Sequence, residues 1–122
     1  FRKNYCAGSF SGAVCVASRA MLMTGQHWMN LPREKPSTNW GANQTLPALL
    51  KTRGNYQPFI IGKWHNGKKT LDQSFSNGRS VYMGGMADHT DFQVQDLKNG
   101  TLSDKRPAGK FSSTVFALKI PI

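Results

Sequence analysis

Acidic side chains are scarce in this sequence. Six Asp and Glu stand against sixteen Lys and Arg, which leaves a net charge of +10 and a pI near 10.1. Such a balance suits an anionic partner. The bases are scattered, however: Arg2-Lys3, Lys68-Lys69 and Lys105-Arg106 are the tight pairs, and no predicted helix face collects them. Nucleic-acid binding relies on a basic stripe interleaved with aromatic residues. Without that pattern no nucleic-acid partner is expected, and dispersed bases fit an anionic small substrate. Long apolar runs are also missing. None approaches the roughly 20 residues that span a bilayer, so no membrane segment is expected. There is no basic-then-apolar leader, and the sequence opens on Phe1 inside an apparent strand or loop, so a truncated start is expected. Cysteine is limited to Cys6 and Cys15, too few for a disulfide framework, and no His/Cys group has zinc spacing.

What remains is a chain of 122 residues, 39% apolar, ordinary for one modest core with many loops. Residues 1–14 read as a strand or loop entering a Gly/Ser turn. Ala, Met, Leu and Arg then favour a short helix over 16–24, stopped at Gly25. Residues 26–44, with Pro32, Pro36 and Gly41, are loop chemistry. Thr45 is placed to cap a helix over 46–53, with Pro47 in its first turn and Gly54 closing it. Strands are predicted at 56–61 and 79–84, a polar loop at 62–69, long loops over 88–112 and a weak helix at 111–119. This order of elements predicts an α/β layer. Loop 62–69 follows a strand end, where open α/β sheets place their ligands.

Cys15 starts the first predicted helix, behind a Gly/Ser turn. Amide groups at a helix start point outward and favour an anion. Arg19 lies one turn further along the same face, so the two side chains can meet one anion. Spacing alone favours a plainer reading, a buried cysteine beside a surface arginine, since free cysteines are mostly small core residues. The phosphate loop of cysteine phosphatases is excluded, because it needs five residues between Cys and Arg. Here only Val16, Ala17 and Ser18 intervene.

The longer strings say more. Residues 13–26, AVCVASRAMLMTGQ, resemble the first signature of the type I sulfatases, Cys-x-Pro/Ala-x-Arg followed by a hydrophobic pair and Thr-Gly-Arg. Cys15, Ala17, Arg19, Leu22-Met23 and Thr24-Gly25 fall in register, and Gln26 replaces the usual Arg. Residues 46–67, LPALLKTRGNYQPFIIGKWHNG, resemble the second signature through Gly54, Tyr56, Gly62, Lys63, Trp64, His65 and Gly67. Residues 70–116 resemble a carbohydrate-sulfatase branch.

The resemblance implies a partial catalytic domain over residues 1–122, truncated at both ends. Its fold would be part of an alkaline-phosphatase-like α/β sandwich, a mixed sheet with flanking helices. A maturation enzyme would convert Cys15 to formylglycine, whose hydrate attacks the sulfur of a sulfated carbohydrate or aryl sulfate. Converted Cys15 would also be a ligand of a calcium ion. Arg19 would steady the nucleophile, Lys63 would meet a sulfate oxygen, and His65 would take a proton as the second hydroxyl collapses. His65, two residues after Lys63, would share its side in a strand-like loop. His89, in GGMADHTD, is the candidate for a further sulfate contact. Trp64 is expected to anchor packing, and Asp104-Lys105-Arg106 to be a solvated charge cluster. A parent located in the periplasm or secreted is implied. The calcium site would be incomplete, since the sequence holds no Asp-Asp or Asp-Asn pair. The ending ALKIPI departs from the longer amphipathic helix the resemblance implies. The alternative from another class is a non-catalytic anion-binding module.

Overall fold

The computed structural model describes residues 2, 3, 5, 8, 15–32, 40–42 and 44–109. The chain forms helix α1 (Cys15–Thr24), a 3-10 turn (Trp28–Asn30), helix α2 (Leu46–Gly54), strand β1 (Phe59–Lys63), helix α3 (Gly67–Ser74) and strand β2 (Asn77–Tyr82). Strands β3 (Gln93–Lys98), β4 (Thr101–Leu102) and β5 (Arg106–Pro107) follow. Among the described residues the strands form one mixed sheet in the order β1-β2-β3-β4, with β5 paired to β3. The β1 and β2 strands are parallel and the other pairs antiparallel. A parallel pair needs a crossover, and α3 supplies it. No described helix is long and apolar enough to cross a membrane.

Local chemistry accounts for most of these boundaries. Thr45 is buried and its hydroxyl accepts the Ala48 N–H at 3.3 Å, capping α2 with Pro47 in the first turn. The stop differs from expectation: Asn55, not Gly54, takes the left-handed conformation (φ 53°). Gly54 instead makes room for Tyr56, whose ring carbon would lie 2.6 Å from a Cβ there.

Four further expectations are corrected. The polar loop at 62–69 is the last two residues of β1, a short bend and the start of α3. This helix hides its inward face behind hydroxyls: Thr70 and Ser74 are buried beside Leu71, and each donates to a backbone carbonyl one turn earlier. The long loops at 88–112 contain β3, β4 and β5. Asn99 (φ 49°) and Gly100 (φ 78°) form the tight turn between β3 and β4, both in the left-handed conformation that a type I′ hairpin needs. Arg106 is not simply solvated, since it donates to Asp96 at 2.8 Å and to Ser80 at 3.3 Å. The predicted strands shift to 59–63 and 77–82. The helix predicted at 111–119, most of residues 1–14 and the ALKIPI end lie outside the described residues.

The core lies between the helices and β1, β2 and β3. Ala20, Leu31, Trp40, Ile60, Trp64, Leu71, Phe75, Val81 and Leu97 form one buried cluster. Trp64 is 1% exposed and packs against Trp40 and edge-on against Phe75.

Candidate functional site

The site grows from the carboxyl end of β1. Gly62 takes φ 104°, a conformation open to glycine, and the pairing register with β2 shifts there. The Trp64 N–H still donates to the Tyr82 carbonyl at 2.8 Å, so the strand end stays tied to β2. The Trp64 indole turns into the core and its Nε1 donates to the Gly67 carbonyl at 2.8 Å. Lys63 and His65, on either side of that buried ring, turn out of the core to meet the start of α1.

There they reach Cys15. Its Sγ lies 2.9 Å from His65 Nδ1, across fifty positions of sequence, and 3.6 Å from Lys63 Nζ. Arg19 donates from its guanidinium to the Lys63 carbonyl at 2.7 Å. Asn66, wholly buried, donates from Nδ2 to the Val16 carbonyl at 3.0 Å. The first turns of α1 are thus bound to the strand end by side chains on both sides. Cys15, Arg19, Lys63 and His65 come together. The expected alternation does not bring this about: His65 has φ 67°, outside the extended region, so a left-handed residue swings its ring onto Sγ. Arg19 meets the backbone of Lys63, which is more specific than the shared anion expected from spacing.

Burial depresses the pKa of the His65 imidazole, and the Lys63 and Arg19 cations push it the same way. At neutral pH the ring is therefore uncharged and able to accept a proton.

Beside this cluster a pocket of about 270 Å³ is lined by Lys63, Tyr82, Gly85, Met86, His89 and Phe92, among others. Lys63 belongs to both. His89, predicted from sequence, sits in the wall of this pocket and is exposed. The loop after β2 that forms the wall is fastened where the Tyr82 hydroxyl donates to the Met86 carbonyl at 2.7 Å. Asp88 in the same wall accepts the Thr90 hydroxyl and N–H, which, hydroxyl foremost, hold its carboxyl below the usual range. Sequence reasoning missed Asn66 and Gly85. The Gly84-Gly85 pair was visible as a flexible stretch, but nothing in it named a neighbour.

Residues 5–119 match the Sulfatase family. The chain belongs to the sulfatase family. Comparison with curated proteins found no match, and comparison with solved structures found none. Membership makes this a chain of a hydrolase family whose fold is alkaline-phosphatase-like, and the mixed sheet with its helices agrees with that α/β class.

Sulfatases generally use formylglycine and a metal ion. Calcium fits poorly. It asks for six to eight oxygen ligands. The neighbours of Cys15 Sγ are an imidazole and an ammonium. Among the described residues no group of three or more His, Cys, Asp or Glu could hold a metal. Asp72 and Asp96 pair with Lys68 and Arg106, and Asp88 with Thr90. The described residues of this sulfatase chain do not make a calcium site.

Proposed function

We propose that this chain carries the nucleophile centre of a sulfuric ester hydrolase, with Cys15 converted to formylglycine by a maturation enzyme. The supporting observation is the convergence of Cys15 Sγ, His65 Nδ1 and Lys63 Nζ at 2.9 and 3.6 Å from elements far apart in sequence. When formed, the hydrated aldehyde supplies the hydroxyl that attacks the ester sulfur. The chain's own residues do the rest. Lys63 faces both Cys15 and the pocket, so its compact cation meets a sulfate oxygen as charge builds there. His65, kept neutral by burial and two nearby cations, accepts the proton released at residue 15. Arg19 holds the strand end in place through the Lys63 carbonyl and adds positive charge to the nucleophile's side. His89 contacts the sulfated group from the pocket wall. The pocket beside Lys63 receives the alcohol part of a sulfated carbohydrate or aryl sulfate.

The described residues around Cys15 supply no calcium site. It follows that the chain on its own hydrolyses sulfate esters negligibly. The test is turnover of a chromogenic aryl sulfate after co-expression with the maturation enzyme. Turnover no greater than that of Cys15→Ala is expected, and metal-dependent turnover well above it overturns the proposed inactivity. The anion site is tested separately by titrating inorganic sulfate while following the His65 ring signals by NMR. A response that Lys63→Met abolishes is expected; a response unchanged by that substitution removes Lys63 from the site.

A further inference from the structure

We infer that Gly85 is a positioning residue for this centre, and that its lack of a side chain allows the His65 ring and the Lys63 ammonium to face Cys15 together. The inference rests on the reading of Lys63 and His65 given above. Gly85 lies in the loop after β2, in the wall of the pocket. A Cβ built on it would stand 2.4 Å from His65 Nε2, 2.7 Å from Cε1 and 3.2 Å from Cδ2. Carbon in contact with such atoms sits near 3.5–4.0 Å, so even one methyl group overlaps the ring by roughly 1 Å. The need is for space. A left-handed backbone explains Gly62 and Gly67, whereas Gly85 has no such conformation.

The ring has little room to retreat. Its Nδ1 is 2.9 Å from Cys15 Sγ, and its backbone is set at φ 67°. Nor can the loop retreat at no cost, because the Gly85 carbonyl accepts a hydrogen bond from Lys63 Nζ. The Tyr82 hydroxyl meanwhile fastens the next residue through the Met86 carbonyl. A side chain at 85 therefore drives His65 away from Cys15 or pulls the carbonyl from Lys63. One residue thus sets two groups at once, the imidazole by steric contact and the ammonium by its carbonyl.

The test is a double-mutant cycle read by thermal unfolding, with Gly85→Ala made in the wild-type chain and in His65→Ala. Gly85→Ala is expected to lower Tm by roughly 5–10 °C in the wild-type chain. In the His65→Ala background less than half of that loss is expected, since the clashing ring is gone. A variant that folds only when His65→Ala is also present supports the inference equally. An equal loss in both backgrounds, or failure to fold in both, overturns it. NMR titration of the His65 ring in Gly85→Ala gives the second readout. A pKa moved up toward the ordinary histidine value is expected, because the displaced ring is better solvated and further from the Lys63 and Arg19 cations. An unmoved titration in a folded variant overturns the inference. Neither readout requires Cys15 to be modified or an ester to be cleaved, so failure of the hydrolase reading and failure of this one are separable.

Discussion

Replacing Trp64 by Ala tests how the site is held. The indole lies between Lys63 and His65 in sequence and is 1% exposed. Its ring centroid is 5.6 Å from that of Trp40 and 5.8 Å from that of Phe75, the latter at 89°. Deleting a buried aromatic of this size costs about 3–5 kcal/mol, cavity included. Domains of this kind have about 5–15 kcal/mol of stability in total, so Trp64→Ala removes a large share of it. For a chain of this length the loss corresponds to a fall in Tm of roughly 10–20 °C. Trp64→Phe separates packing from hydrogen bonding. It keeps most of the buried ring and loses the 2.8 Å bond to the Gly67 carbonyl, at a cost of about 1–3 kcal/mol. Urea titration followed by far-UV circular dichroism measures both, with a lowered midpoint and an unchanged m value marking a true stability change. A loss below about 1 kcal/mol for Trp64→Ala, or equal losses for Ala and Phe, would refute the claim that this ring anchors the strand end by packing.

Other predictions follow from named contacts. Lys63→Met removes a cation that suppresses protonation of His65, so NMR titration should show the ring's pKa rising; a fall or no change contradicts the electrostatic account. Because the native His65 pKa is depressed, the unfolded state takes up that proton first as pH drops below the ordinary histidine value near 6.5. Stability should therefore fall with decreasing pH from there down to the native pKa, and His65→Asn should flatten that slope in urea titrations at a series of pH values. Thr45→Ala removes the cap of α2 and should cost about 1 kcal/mol in the same assay, whereas Thr45→Ser should recover most of it.

The sequence made some of this legible for clear physical reasons. Cap chemistry at Thr45, with Pro47 in the first turn, marked the start of α2, and helix-forming residues after Cys15 marked α1. It misled where side chains disguise their surroundings. Helix α3 has Leu71 as its buried apolar residue, and the inward Thr70 and Ser74 look like loop residues until their hydroxyls are seen bonded to the helix backbone. Gly62 reads as a strand stop, yet its φ of 104° lets β1 continue to Lys63. The β3–β4 hairpin turns on the Asn99-Gly100 pair, but its flanking residues lack the clean alternation that marks strands. The site divides in the same way. The helix start at Cys15 and the turn to Arg19 follow from local periodicity. The meeting of Cys15 with His65 joins positions fifty residues apart through a left-handed residue, and no periodicity encodes that. Family signatures brought those residues to notice; Asn66 and Gly85 became visible through the neighbours they touch.

The central claim is that the thiol held against His65 and Lys63 is destined for conversion to an aldehyde. Mass spectrometry of the peptide containing Cys15, after co-expression with the maturation enzyme, measures this directly. The account predicts the mass loss of a thiol-to-aldehyde change and capture of that peptide by a hydrazide reagent. A Cys15 that remains fully alkylatable, while the same enzyme converts a control substrate in the same cells, would contradict it.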